Sequence, residues 1–370
     1  MLDFEVLATA GSARRGRLTT PHGVVETPTF MPVGTLGAVK GLGPWVLEDA
    51  GAHVMLANLY HLTLRPGIDR VEELGGVHAF TGWKQTLLTD SGGYQVFSLA
   101  ELRKVDEDGV SFKSIVDGSP QRFTPENVVA AQARIGVDIA MVLDECPPWP
   151  VSEEEARESL HRTQRWAERA LEERSRHGAW QGGLFGILQG SFYDHLRDEA
   201  LRLLEGLEFD GFAIGGVSVG EDKSLGRAVV ERMAPALPEN RPRYLMGMGT
   251  PVDLEHAVIH GVDMFDCVLP ARNARHGTIF TSEGIVRIKN SRYGRDERPL
   301  DANCGCPTCG RISRAFLHHL FRCGEMTARV LATTHNVWYF LDFVRQLREA
   351  VASGDPAFLA SLHRAAQDLG

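Results

Sequence analysis

Val262-Asp263-Met264-Phe265-Asp266-Cys267-Val268-Leu269-Pro270-Ala271-Arg272-Asn273-Ala274-Arg275-His276-Gly277 is the stretch on which the fold turns. A short apolar run ends in a carboxylate, and two arginines, an asparagine, a histidine and a glycine follow within a little over ten residues. That order reads as a buried strand opening into a polar loop. A strand-terminal Asp with cations just beyond it is placed to act on an anionic, polar substrate. The same residues would also serve as an ordinary Asp-capped turn, so the rest of the chain has to decide.

Working outward, seven more runs of the same kind precede it. They are Thr29–Val33, His53–Ala57 before Asn58, Leu87–Thr89 before Asp90, Ile139–Leu143 before Asp144, Leu184–Leu188 before Gln189, Phe212–Ile214 before Gly215, and Tyr244–Met246 before Gly247. Strands that are apolar on both faces and alternate with helix-compatible stretches imply a parallel sheet, and eight of them imply closure. The fold class expected is α/β, a (β/α)8 TIM barrel. The intervening helices carry start signals: Ser152 with Glu155 three residues on, and Thr250 with Pro251 in the first turn.

Two appendages flank this body. Residues 1–27 alternate loosely around Pro21-His22-Gly23 and read as an antiparallel β piece flanking the barrel. The barrel body is expected over 28–271, a basic zinc-binding subdomain inserted at 272–340, and C-terminal helices completing the barrel at 341–370. Residues 272–329 hold eleven Lys/Arg against five Asp/Glu, a net of +6 in a chain whose total is −9. A basic segment on an acidic protein suits a localised phosphate-binding face.

At 370 residues with 43% hydrophobic and 24% charged positions, the chain has the composition of a globular protein, with no apolar run long enough to span a membrane. The acidic N-terminal residues lack the pattern of a secretory signal, and a cytoplasmic location is expected. Disulfides are then unlikely to form, and the clustered Cys304, Cys306 and Cys309 point to tetrahedral zinc in a structural role. On sequence alone Cys323, His318, His319 or His335 could be the fourth ligand. No phosphate-binding glycine motif follows a strand, so no nucleotide cofactor is indicated.

In a barrel of this kind the strand C-termini meet at one mouth. Asn58, Asp90, Asp144, Gln189, Gly215, Gly216 and Asp266 would converge there, a set able to recognise a planar heterocycle and to do nucleophilic and acid/base work at a sugar carbon. Asp90-Ser91-Gly92-Gly93-Tyr94-Gln95 adds close backbone approach and a stacking face. Cys146 and Cys267 read as small core or pocket residues. A barrel glycosidase or deaminase would leave the basic segment unused. An RNA-binding zinc protein without catalysis would leave the carboxylates unused.

Taken together, Asn58-Leu59-Tyr60-His61-Leu62, Arg65-Pro66-Gly67, Asp90–Gln95, Asp144-Glu145-Cys146, Gly186–Gly190, Gly215–Glu221, Tyr244–Gly247, Phe265–Pro270, Arg272–Arg275 and the cysteine cluster with His335 resemble the bacterial tRNA-guanine transglycosylases, also called queuine tRNA-ribosyltransferases. The chain departs from that pattern at Leu59, Ala271 and Val217.

The resemblance implies exchange of the wobble guanine of GUN-anticodon tRNAs for 7-aminomethyl-7-deazaguanine, without ATP. It implies Asp266 as nucleophile and Asp90 as general acid/base. Asp144, Cys146, Gln189, Gly215, Gly216 and Val217 would lie at the base edge, with Tyr94 and Met246 against its faces. Arg272, Asn273, Ala274 and Arg275 would meet the RNA, and Cys304, Cys306, Cys309 and His335 would hold one zinc per chain. A homodimer is implied by the family alone. Val219, beside the 7-substituent by this resemblance, implies the small aminomethyl base rather than the bulkier queuine.

Overall fold

The computed structural model describes residues 2–99 and 103–354. Eight parallel strands close into a barrel in sequence order: β1 (Thr29–Gly34), β2 (Val54–Asn58), β3 (Thr86–Asp90), β4 (Ile139–Met141), β5 (Gly183–Leu188), β6 (Gly211–Ile214), β7 (Arg243–Leu245) and β8 (Met264–Cys267). Closure is made where β8 pairs with β1, Met264 opposite Thr29 through Cys267 opposite Pro32. Every residue of β2 through β7 is buried. This is why these strands read as unbroken apolar runs: helices cover the outer face and side chains fill the inner one.

The helices begin where capping chemistry permits. Ser152 Oγ accepts the Glu155 N–H at 3.2 Å ahead of helix Glu153–Arg176, and Thr250 forms a capping box with Asp253 ahead of Pro251–Ile259. Each satisfies amide donors that a helix start otherwise leaves without partners.

The N-terminal residues form a three-stranded antiparallel sheet, Asp3–Ala10, Ala13–Thr20 and Gly23–Thr27. Its polar contacts fall on residues at or just before strand starts. Leu2 N–H donates to Asp210 at 2.6 Å, Thr20 meets the Thr86 hydroxyl at 2.8 Å, and buried Arg14 pairs with buried Asp263. The sheet therefore covers the N-terminal mouth of the barrel, leaving the opposite mouth for chemistry.

A second three-stranded sheet, Arg103–Asp106, Gly109–Lys113 and Pro120–Phe123, is inserted between β3 and β4. The sequence reading did not anticipate it. Phe112 and Phe123 pack on Tyr60 with ring centroids at 5.4 and 6.4 Å, and Arg165 takes Glu107 in a two-point ion pair at 2.6 and 2.7 Å.

After β8 the expected polar loop is instead a helix, Leu269–His276, with Pro270 in its first turn and Gly277 in the left-handed conformation at its end. A hairpin, Thr278–Thr281 with Gly284–Arg287, then a 3-10 turn at Ser291–Arg295 and helix Arg314–Cys323 complete a subdomain with its own core. The last described helix, Met326–Ser353, runs without a break across position 340. Its Ala328 and Ala332 belong to the subdomain core, and Val337, Phe340 and Val344 to the barrel core. Residues 355–370, the end of the expected C-terminal helices, lie outside the described residues. Among the described residues no helix is long and apolar enough to cross a membrane.

Candidate active site

A cavity of about 440 Å³ opens at the C-terminal mouth, lined among others by Asn58, Asp90, Tyr94, Asp144, Cys146, Gly215, Gly216, Val217, Met246 and Asp266. The strand ends singled out from sequence thus meet in one place. A larger cavity of about 520 Å³ lies around His22 and Trp180. Its carboxylate, Asp138, is committed to His22, His78 and the Leu87 N–H, so the paired-carboxylate chemistry belongs to the C-terminal mouth.

Asp266, on β8, is held by two donors that fall on the same oxygen. The Tyr244 hydroxyl donates to Oδ1 at 2.7 Å, and the Gly247 N–H donates to it at 2.7 Å. Burial raises the Asp266 pKa, and these two bonds oppose the rise by favouring the carboxylate. Tyr244 and Gly247 were met in the sequence only as part of a strand and its end. That they clamp the carboxylate depends on β7 lying beside β8.

Asp90 ends β3 and is buried. Asn58 Nδ2 donates to its Oδ2 at 2.6 Å, Gln95 Nε2 to the same oxygen at 3.1 Å, and the Leu59 N–H to Oδ1 at 3.2 Å. Desolvation nevertheless dominates, the Asp266 charge adds to it, and the pKa is pushed up to about 8. Asp90 therefore carries a proton at neutral pH. Two neighbouring carboxyls in such different surroundings are the arrangement that lets one site pair an acid with a nucleophile.

Asp144, beyond β4, is raised by burial to about 6. Gln189 Nε2 donates to its Oδ2 at 2.7 Å. Gln189 itself is buried behind the wall rather than lining the cavity, with its amide against Gly215 and Gly216. Gly93 shows why the Asp90–Gln95 stretch carries glycine: a Cβ there would stand 2.7 Å from Asp144 Oδ1. Cys146 is buried, its thiol pushed up to about 12 by desolvation, which fits a neutral pocket residue and not a nucleophile.

At the rim, Tyr94 is 50% exposed and Met246 half-buried. Val219 also lines the cavity. Glu221 takes the Ser218 N–H at 2.6 Å on one oxygen and the Val219 N–H at 2.8 Å on the other, fixing a turn in which Ser218 has φ 61°.

Arg272 is exposed and lines the cavity, while Asn273 and Arg275 are half-buried on the same short helix. Between them the Ala274 side chain is fully buried in the subdomain core, where its position on the helix faces Ile279 and its neighbours.

Cys304, Cys306, Cys309 and His335 bring their ligand atoms within 4.8 Å of one another. His335 Nε2–H donates to the Phe280 carbonyl at 2.7 Å, which leaves Nδ1 as the lone-pair nitrogen, 3.2 Å from Cys309 Sγ and 3.6 Å from Cys306 Sγ. An imidazole whose far nitrogen is fixed by a carbonyl, aimed at three sulfurs, fits a tetrahedral metal ion. Of the four residues open for the fourth place, His335 joins the cluster. Cys323 and His319 lie near each other on a different helix.

A closed (β/α)8 barrel with two carboxyls in the cavity at its C-terminal mouth, and an appendage whose Cys3His cluster could hold a metal ion, has the layout of a barrel enzyme. The chain belongs to the queuine tRNA-ribosyltransferase family, whose model matches residues 9–367. It is 50% identical over 353 residues to the queuine tRNA-ribosyltransferase of Marinobacter nauticus, covering 95% of this chain and 94% of that one. The same description applies to a relative in Herminiimonas arsenicoxydans, 50% identical over 359 residues and 96% of each chain. A third, from Francisella tularensis subsp. holarctica, is 49% identical over 354 residues and 96% of each.

Proposed function

We propose that the chain is a tRNA-guanine transglycosylase that replaces the wobble guanine of GUN-anticodon tRNAs with 7-aminomethyl-7-deazaguanine. The observation that carries this reading is the pair of carboxyls in one cavity, Asp266 held at Oδ1 by the Tyr244 hydroxyl and the Gly247 N–H, and Asp90 with its pKa pushed up to about 8. Family membership supplies the RNA and the base as substrates.

Asp266 attacks C1′ of the ribose. The C1′–N9 bond breaks, an ester bond to the Asp266 oxygen forms, and the leaving guanine takes the Asp90 proton. The incoming base gives its N9 proton to the Asp90 carboxylate. Its N9 then forms the new bond to C1′ as the ester to Asp266 breaks. Two inversions give retention, with no energy source beyond the exchange itself.

Asp144 accepts from the N1 and N2 edge of the base. The Gly216 and Val217 amides face its carbonyl oxygen, Gln189 orients Asp144 from behind, and Tyr94 and Met246 cover the ring. Arg272, Asn273 and Arg275 contact the RNA backbone. Cys304, Cys306, Cys309 and His335 would hold a zinc ion that cross-links the subdomain, away from the displacement at Asp266. A homodimer is the assembly state proposed with this reading, tested by sedimentation.

The deciding experiment is exchange of labelled guanine into unmodified tRNA without ATP. Incorporation confined to GUN-anticodon tRNAs supports the reading. Absence of exchange with folded, metal-loaded protein overturns it.

A further inference from the structure

Arg197 is 1% exposed, yet among the described residues no carboxylate stands within ion-pair distance of its guanidinium. It leaves helix Asp194–Leu204 and spends its donors on four backbone carbonyls instead. Nε donates to Ser191 O at 2.7 Å, Nη1 to Leu188 O at 2.9 Å and to Gly215 O at 2.8 Å, and Nη2 to Gly216 O at 3.3 Å. Those carbonyls belong to the ends of β5 and β6, the strands whose ends carry Gln189, Gly215 and Gly216. A buried cation is costly unless its donors are all engaged, and a planar five-donor fork is the group able to engage them.

The direction of the carbonyls has a consequence for the amides that follow them. In a planar trans peptide, C=O and N–H point to opposite sides. Drawing Gly215 O toward Arg197 turns the Gly216 N–H away from it, and drawing Gly216 O turns the Val217 N–H away likewise. Gly215, Gly216 and Val217 line the cavity, whereas Arg197 stands behind them. Away from Arg197 is therefore toward the cavity. The Gly216 N–H does lie against Cys146, which also lines that cavity. Gly216 has φ 66°, and a Cβ there would meet Gln189 Oε1 at 2.5 Å and Arg197 Nη2 at 3.1 Å, so this arrangement accepts little else.

We propose that Arg197 is a positioning residue for base recognition: by holding the Gly215 and Gly216 carbonyls it aims the Gly216 and Val217 N–H groups at an acceptor oxygen on a bound purine-type base. This rests on the base-exchange reading given above. Arg197 touches neither base nor ribose, and the Asp266 and Asp90 chemistry does not use it.

The test is Arg197→Lys, whose ammonium keeps the charge but cannot span four carbonyls. Binding of free 7-aminomethyl-7-deazaguanine is measured by calorimetry, and KM for base and for tRNA by steady-state exchange. Base affinity should fall about tenfold, the scale of the neutral amide hydrogen bonds that lose their aim, with KM for tRNA within about twofold of wild type. A folded Arg197→Lys protein with unchanged base affinity, or with base and tRNA constants raised together, overturns the proposal. If Arg197→Lys does not fold, Arg197→Gln is read the same way. If neither folds, Arg197 serves the barrel itself and the proposal falls. Wild-type protein that binds base but does not exchange it would count against the reaction, while the calorimetric comparison would still decide the role of Arg197.

Discussion

The hydroxyl of Tyr244 donates to Oδ1 of Asp266 across 2.7 Å, from the strand next to the one that carries the carboxylate. With the Gly247 N–H on the same oxygen, Oδ2 is free of both donors and is the oxygen that would attack in the proposed exchange. Asp266→Asn should abolish a denaturation-resistant protein–tRNA complex seen on gels with wild type. Tyr244→Phe should keep the complex but raise the Asp266 pKa further, since a bond favouring the anion is lost. The acid limb of the pH–rate profile should move upward accordingly, and an unmoved limb would rule this out.

Asp90 gives the opposite limb. Its folded pKa of about 8 stands above the free-carboxyl value near ~4. The folded chain therefore holds a proton that the unfolded chain releases in that window. The stability tied to this proton is complete below about pH 4 and is lost as pH rises through about 8. Exchange should fall over the upper end of the same window. Asp90→Asn should be inactive and should flatten the stability-versus-pH curve measured by denaturant titration; a curve parallel to wild type would contradict the assignment.

Cys306→Ser should reduce zinc from one per chain to a small fraction, read by atomic spectroscopy. Melting should drop by on the order of 5 °C or more. Metal-free wild type of undiminished stability and activity would remove zinc from the account.

Arg272 is exposed at the cavity rim. Arg272→Ala should weaken tRNA binding irrespective of sequence and reduce the slope of log K against log salt by about 0.7 to 0.9, one phosphate contact. An unchanged slope would place the RNA backbone elsewhere.

Val219 lines the cavity, and its backbone is tied by its own N–H to Glu221 and by its carbonyl to the Trp149 N–H at 3.2 Å. Val219→Gly should thus remove volume without releasing the turn. Competition between bases should show wild type favouring 7-aminomethyl-7-deazaguanine over queuine, with the gap narrowed in the variant. Forcing a bulky ring past a packed side chain costs ~1–3 kcal/mol. Wild type preferring queuine would refute the pocket assignment.

All eight barrel strands were legible because a strand buried on both faces leaves an unbroken apolar run with polar punctuation at its end, as at Leu87-Leu88-Thr89-Asp90. The inserted sheet was not, because Arg103–Asp106 and Pro120–Phe123 are short and largely exposed, with no apolar run to mark them. The helix Leu269–His276 was missed despite a usable signal, Pro270 in the first turn and Gly277 just past the end. Convergence of the strand-end residues followed from the barrel. Arg197 did not, since an arginine in a helix full of charged residues gives no sign that its side chain will turn back into the protein. The burial of the Ala274 side chain was hidden for a related reason: the run of polar neighbours gives no sign of which face its helix buries.

Helix Met326–Ser353 makes the appendage and the barrel a single mechanical part. Within it His335 faces the thiols, while Asn336 donates to the carbonyls of Pro270 and Thr278 and accepts the Phe280 N–H. Eight residues on from Asn336, Val344 is buried in the barrel core. The helix that carries Arg272 is thereby bolted at Pro270 to the same rod that is seated in the barrel. If, as proposed, Arg272 grips the RNA backbone, the strand is presented to Asp266 at a set depth, and selection of one nucleotide within a loop becomes a matter of measured length as well as of base identity.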